Sequence, residues 1–420
     1  MIKIKRICTL LLVSSLCGCG LFGPDYKKPT LKDPGEWPDK DQLAKIDDSI
    51  NLPDMAWWKT FNDPELNNLI SDALKYNNNI QMAIGNITQA QGQLQQVYMG
   101  WVPVLAPKAS YSTLQSFSSS SLSSSTSNLS GGGGNAGYQV GLVPSYTINI
   151  LQQIRSQQAA EANLAAQQYA KDAMRLTIIS QVAGSYFTLL GQDYLLKLQK
   201  QLVKDTKNQL ALSKDQFKDG YVSLLTVQQY EQQYEQAQTQ VPVIENNIVQ
   251  TQNALQVLLN RNPGDIKRGL SFNDVKIDGI VPANLPSTVL RNRPDVIQAE
   301  QQLISANANI GVATSTFFPS INLTTGIGTA AGTLSGLFSS GNDFWQVAAG
   351  ATMPILSLGT FGQIKAARGA YYTAFYNYVL TIRNAFAQVD NGLQAHQKIM
   401  DSYKYQAKVY DSANLANDLG

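Results

Sequence analysis

Side chains able to do covalent or metal chemistry are scarce in this 420-residue sequence. Its three cysteines all precede residue 20, and His396 is the single histidine. One histidine cannot build a histidine-based metal site, and no zinc-ligand spacing is present. Neither a Gly-x-Ser-x-Gly elbow nor a phosphate loop occurs, and the body cannot hold a disulfide framework. The reactive position left is Cys19. It ends the run Leu16-Cys17-Gly18-Cys19: a large aliphatic residue, a small pair, then a thiol. That order resembles a bacterial lipobox, whose cysteine takes a lipid. Cys17 departs from the usual small residue, whereas Gly18 fits. Cys8 lies in a basic stretch and Cys17 follows a leucine, so neither is a good acceptor.

The residues before Cys19 supply the context for that chemistry. Lys3, Lys5 and Arg6 form a basic start, and Leu10 to Val13 the heart of a short apolar run. The run is far below the ~20 residues that span a bilayer, so residues 1–18 read as a secretory signal. An ordinary cleaved signal beside a chance cysteine is the alternative. Gly20 rather than aspartate follows Cys19, which directs a lipoprotein to the outer membrane by default. Cleavage removes three of 32 basic residues and leaves 29 against 30 acidic ones. Near-neutral charge argues against nucleic-acid binding, which needs a basic face. Only 15% of residues are charged, against about a quarter in a typical soluble domain.

No later run is long and apolar enough for a membrane helix, so any bilayer crossing must use a closed barrel. Strand patterns for one are present. In 137–150, Tyr138, Val140, Leu142, Tyr146, Ile148 and Ile150 alternate with Gln139, Gly141, Ser145, Thr147 and Asn149. Residues 318–330 and 343–356 alternate likewise, through Ile321, Leu323 and Ile327 and through Trp345, Val347, Ala349 and Ala351. A first strand, about 102–117, alternates less cleanly around Lys108. Segments of roughly 10 residues with period 2 fit a transmembrane β-strand, although half-buried strands of a soluble sheet share the pattern. Trp101, Tyr111, Tyr138, Tyr146, Phe318, Phe344 and Trp345 gather near strand ends, as an interfacial girdle would. The Ser/Gly-rich links Ser116–Gly134 and Gly332–Asn342 read as exposed loops.

Two repeats carry these strands. Gln153-Ile154-Arg155 recurs as Gln363-Ile364-Lys365, and Pro144 as Pro354, both 210 positions on. The first repeat, 61–265, holds a helix, two strands, a long helix at 153–219 and a return helix at 222–260. Residues 153–218 contain no proline, and 66 helical residues reach roughly 100 Å. Gly220 can supply the left-handed residue that ends that helix. A linker, 266–293, leads to the second repeat, 294–420, with its long helix at 361–419. Four strands cannot close a membrane barrel, since small ones start at eight. Symmetric association is therefore required if the strands enter a membrane.

The sequence resembles the outer-membrane factor family, the TolC-like channels, and within it the lipid-anchored NodT/OprM-like branch of RND tripartite efflux systems. The residues that carry this are Gly23-Pro24-Asp25-Tyr26-Lys27-Lys28-Pro29, Trp57-Trp58 before Phe61 and Pro64-Glu65-Leu66, Arg293-Pro294-Asp295, Ala306-Asn307-Ala308-Asn309-Ile310-Gly311-Val312-Ala313, and Phe317-Phe318-Pro319-Ser320-Ile321. The resemblance implies an α+β membrane protein with two internal repeats of helix, β-hairpin and long helix. Three chains would share a 12-stranded outer-membrane β-barrel continued by a periplasmic α-helical barrel. The homotrimer would meet a periplasmic adaptor (membrane fusion) protein and an inner-membrane RND transporter, and serve as a passive exit duct for drugs, small toxic molecules or ions. It would be no enzyme and use no cofactor beyond the lipid on Cys19, with residues 19–60 extended in the periplasm.

Particular residues inherit roles from this resemblance. Gly220, Tyr221, Val222 and Ser223 match the helix tip that adaptor hairpins touch; a plain helix turn is the alternative. Asp411 and Asp418 fall near the second tip, where acidic rings can select cations; solvated tip charges are the alternative. Two departures stand out. Where the family has Trp-x-x-Asp-x-x-Gly-x-x-Arg, this chain has Tyr146, Asn149, Gln152 and Arg155, and the loss of the glycine implies a less sharply turned strand-to-helix joint. The second repeat stops at Gly420, opposite Gly220, and implies that a return helix is missing. A truncated non-functional channel, or a structural outer-membrane lipoprotein without a pore, are the competing readings.

Overall fold

The computed structural model describes residues 23–29, 56–113, 136–275, 292–354 and 357–419. The signal sequence, Cys19, the link 116–134 and linker residues 276–291 lie outside the described residues. Among the described residues there are six α-helices and five strands. The helices are α1 (Pro64–Tyr76), α2 (Asn78–Met99), α3 (Ile150–Lys218), α4 (Leu224–Leu258), α5 (Pro294–Ser315) and α6 (Leu358–Leu419). The strands are β1 (Pro107–Thr113), β2 (Ala136–Leu142), β3 (Ser145–Ile148), β4 (Ser320–Ala331) and β5 (Asp343–Thr352). The chain divides into two compact units.

One unit gathers residues 30–89, 165–300 and 377–420. Its apolar core forms because α1 is strongly amphipathic. Leu66, Leu69, Ile70 and Ala73 recur at helical spacing and are all buried. They pack with Ile178, Ile179, Val182, Tyr186 and Leu189 of α3, with Ile248 and Leu255 of α4, and with Leu259 and Ile266. Helix α1 starts at Asp63, whose side chain accepts from the backbone N–H of Glu65 and Leu66 at 2.8 and 3.2 Å. Pro64 sits at the first helical position, where its missing N–H costs nothing.

Asp63 does more than cap. It is 1% exposed, and its Oδ2 accepts from the Tyr186 hydroxyl at 2.7 Å and the Leu270 N–H at 3.2 Å. The Tyr186 oxygen in turn accepts from Gly269 N–H at 2.9 Å. Burial, reinforced by the Asp63 carboxylate, pushes the Tyr186 hydroxyl well above the usual tyrosine range. A Cβ at Gly269 would run into the Asp63 carboxylate, so only glycine fits there. Arg268 forks onto Asp193 at 2.8 and 3.2 Å. The first ten residues of the expected linker, 266–275, are therefore pinned to α1 and α3 rather than free.

The other unit gathers residues up to 29, 90–164 and 301–376, and holds the sheet. All pairings are antiparallel: β1 with β2, β2 and β3 with β4, and β4 with β5. The expected strand at 137–150 is interrupted at Val143-Pro144, because proline has no N–H for the ladder. Register nevertheless continues. Leu142 faces Ile327 and Ser145 faces Thr324, while the Pro144 carbonyl accepts from Thr325 N–H at 2.9 Å. The sheet is thus four strands wide, and the expected hairpins are joined to each other through β4. At this seam Gly141 faces Gly328. A Cβ on Gly328 would lie 2.5 Å from Gly141 Cα, and one on Gly141 would lie 2.5 Å from the Ile327 carbonyl oxygen.

Candidate functional site

Register assigns every strand residue to a face. One face carries Ala109 and Tyr111 of β1, Tyr138, Val140, Leu142, Tyr146 and Ile148 of β2 and β3, Ile321, Leu323 and Ile327 of β4, and Trp345, Val347 and Ala349 of β5. The opposite face carries Lys108, Ser110, Gln139, Thr147, Asn322, Thr324 and Gln346. Thr147 donates to Asn322 across the strands at 2.8 Å. A sheet covered by a soluble core would hide its apolar face. Here Trp345 is 79% and Val347 70% exposed. Tyr111 and Tyr138 stand paired at the loop end, ring centroids 4.6 Å apart, on the same face. Phe344 belongs to the opposite, polar face, one residue out of phase with Trp345, so it is no part of an outward girdle. Trp101 follows α2 and Phe318 precedes β4, so both lie outside the strands.

The helices attach to one end of this sheet, after Ile148 and Thr352 and before Ser320, and the loops occupy the other. Asn149 makes the first joint: its side chain accepts from Gln152 N–H at 3.2 Å and so caps α3 without the glycine. Gln153 donates to the Val97 carbonyl, and the Tyr98 hydroxyl donates to Glu161 at 2.7 Å. Hydrogen bonds from Gln157 and then Tyr98 hold the Glu161 carboxyl below the usual range. The same bond from the other side raises Tyr98.

An N-terminal strap, residues 23–29, runs across this joint. Asn307 donates to the Pro24 carbonyl at 2.7 Å, and Asp25 meets Arg155 at 3.1 Å. Gly23, with φ of +81°, lies so close to Gly311 that an added Cβ would stand 2.7 Å from the Gly311 Cα. The two stretches that carried the resemblance at 23–29 and 306–313 are therefore contact partners. Nothing in the sequence of either stretch signals that they touch.

The turn between α3 and α4 has a local cause. Gly220 takes φ of +80°, and Tyr221 N–H reaches back to the Gln216 carbonyl at 2.8 Å, closing the end of α3. Ser223 then caps α4 by accepting from Thr226 N–H at 3.3 Å. Tyr221 is 82% exposed, and Leu224 and Leu225 are exposed beside it. A solvated turn needs none of these. Asp411 is exposed on α6, and no hydrogen bond or ion pair among the described residues joins it to residues 219–223. Asp418 lies in the last turn of α6, its side chain outside the described residues; Cys19 is outside them altogether. Among the described residues, no group of three or more His, Cys, Asp or Glu could hold a metal, and no helix is long and apolar enough to cross a membrane.

The sheet exposes its apolar face, and its strands run at one end into helices of 69 and 62 residues. The outer membrane efflux protein family matches residues 69–261 and 285–419, and the chain belongs to it. Cation efflux system protein CusC of Escherichia coli is 28% identical over 98% of this chain and 87% of its own. Solvent efflux pump outer membrane protein SrpC of Pseudomonas putida is 31% identical over 94% of this chain and 84% of its own. The open-state structure of the Neisseria gonorrhoeae MtrE outer membrane channel superposes with a TM-score of 0.77, at 29% identity, over 92% of this chain and 84% of that one.

Proposed function

We propose that the protein is the outer-membrane exit channel of a tripartite efflux system, a passive duct driven by its partner pump. The observation that carries this is the exposed apolar face of the four-strand sheet together with its two open edges. Among the described strands, β1 and β5 each pair on one side only. In hydrocarbon an unpaired backbone group costs several kcal/mol, so each edge needs a partner. Three copies joined edge to edge give a closed 12-stranded barrel with the polar face inward. The helices continue it as a periplasmic tunnel, and the Cys19 lipid holds the N-terminus at the membrane. A periplasmic adaptor grips the turn at Gly220 to Ser223, where Tyr221 supplies apolar contact, and an inner-membrane RND transporter supplies the energy. Asp411 and Asp418 line the tunnel near its far end. CusC and SrpC are named for cations and solvents, so the cargo is chosen by the pump rather than by the duct.

Native mass spectrometry of protein extracted from outer membranes, followed by planar-bilayer conductance, tests this. A lipidated trimer that conducts is the expected result. A lipidated assembly with no conductance would sink the duct and favour a structural lipoprotein. Tyr221→Asp should leave trimer and conductance intact while abolishing capture of the adaptor.

A further inference from the structure

The expected flexible link at 332–342 is a built turn. Residues Ser335–Phe338 form a single 3-10 turn, and Asn342 donates to the Gly336 carbonyl at 2.6 Å. Gly336 N–H bonds the Thr333 carbonyl at 3.1 Å, and Ser339 N–H bonds the Gly336 carbonyl at 3.1 Å. The turn lies on a definite side of the sheet. A Cβ on Gly336 would stand 2.9 Å from the Ala331 Cβ, and Ala331 shares the apolar face with Tyr138, its register partner. The turn thus folds toward that face at the loop end. Leu337 is buried, whereas Phe338 is 90% exposed and Leu334 is exposed beside it. The rim here is otherwise polar: Asp343 and Thr329 face each other on the same face. A turn held in water gains nothing by presenting a phenylalanine and a leucine past a polar rim.

Height places them. Strand β4 has 12 residues. At ~3.4 Å each and a tilt of ~40° it rises about 30 Å, against an apolar band about 25 Å tall. With the band centred on β4, Ala331 sits about 3 Å beyond its outer edge, and the turn packed beside it sits at the same level. We propose that residues 334–338 are an interfacial hook whose Leu334 and Phe338 enter the headgroup–acyl boundary of the outer leaflet and fix how deep the β-domain sits. The occupant is lipid, because the turn continues the lipid-facing surface of the sheet. This rests on the barrel reading above.

Spin labels read it directly. Phe338→Cys, Val347→Cys and Ser340→Cys are each labelled with a nitroxide in the full chain, reconstituted in vesicles with an outer leaflet of lipopolysaccharide, beside the unsubstituted chain. Collisions with oxygen, which concentrates in lipid, are compared with those of a water-soluble nickel chelate. Position 338 should favour oxygen, less strongly than 347, and position 340 the chelate. If 347 favours oxygen but 338 favours the chelate, the hook is wrong and the barrel stands. If 347 also favours the chelate, the barrel reading itself fails. A label at 338 screened from both reagents would mean that a neighbouring copy covers the turn, which also overturns the proposal. Phe338→Trp supplies a second readout without a label: quenching by brominated acyl chains above that of the unsubstituted chain is expected, and none would refute the insertion.

Discussion

The seam between β2 and β4 gives the sharpest expectation. Replacing Gly328 by alanine puts a Cβ 2.5 Å from the Gly141 Cα, where ordinary contact begins at 3.4 Å. Both obstacles are backbone, Gly141 and the Val140 carbonyl, so no side chain can rotate away. The strands must part by about 1 Å, because a packed interior has no slack to absorb the overlap. Two ladder hydrogen bonds unmade cost about 2–6 kcal/mol, at ~1–3 kcal/mol for each bond lost. The opposing gain, from replacing a flexible glycine, is only ~0.4–1 kcal/mol. Destabilisation wins. Gly350→Ala is the matched comparison: Gly350 lies in β5 of the same sheet, with nothing within 4 Å of an added Cβ. Thermal melting of extracted trimers on semi-native gels should show G328A dissociating many degrees below wild type and G350A unchanged. G141A should resemble G328A, and the double variant should cost less than the two added, since they open the same seam. Indistinguishable melting of G328A and G350A would refute the close-approach reasoning.

Other expectations follow from the buried network, the strap and the tunnel. Burial raises Tyr186, so the native state holds its proton more tightly than the unfolded chain, whose tyrosines titrate near ~10. That stabilisation is whole below pH ~10 and fades as pH rises further. Tyr186→Phe should cost ~1–3 kcal/mol at pH 7, by leaving Asp63 and Gly269 short of a partner, and its deficit in urea midpoint should shrink above pH 10. Asp25 is well exposed, so the Arg155–Asp25 bond is worth under ~1 kcal/mol. Asp25→Asn should therefore barely shift melting, while limited proteolysis at residues 23–29 accelerates; a large drop in melting temperature would refute the weak-pair reading. Asp411→Asn should reduce cation over anion selectivity, read as a smaller reversal potential across a salt gradient, and an unchanged potential removes Asp411 from the tunnel wall.

Much of the architecture was legible because its cause is local. Alternation in 318–330 and 343–356 appears as β4 and β5, since period 2 is a property of the strand itself. The proline-free stretch after Gln153 appears inside α3, and Gly220 ends it with the left-handed φ that glycine adopts without cost. Family membership was legible from the blocks at 23–29, 306–313 and 317–321. What escaped the sequence is long-range. Pro144 breaks the strand while register runs on, which depends on β4 supplying the partner for its carbonyl. The girdle reading of Phe344 beside Trp345 fails for a local reason, since adjacent strand positions point to opposite faces. Asp63, Tyr186 and Leu270 are far apart in sequence, and nothing in their spacing announces one buried cluster.

The sequence by itself determined the period-2 stretches of β4 and β5, where the α3 turn falls, and the family, because periodicity and glycine act within a few residues. Only the tertiary structure decided that the strap lies on Gly311, that Gly141 and Gly328 abut, and that the turn at 335–338 folds onto the apolar face. The first two are close approaches between backbones more than a hundred residues apart, and the third sets a short turn against the Ala331 side chain on a face that only strand pairing defines; no local pattern encodes such distances.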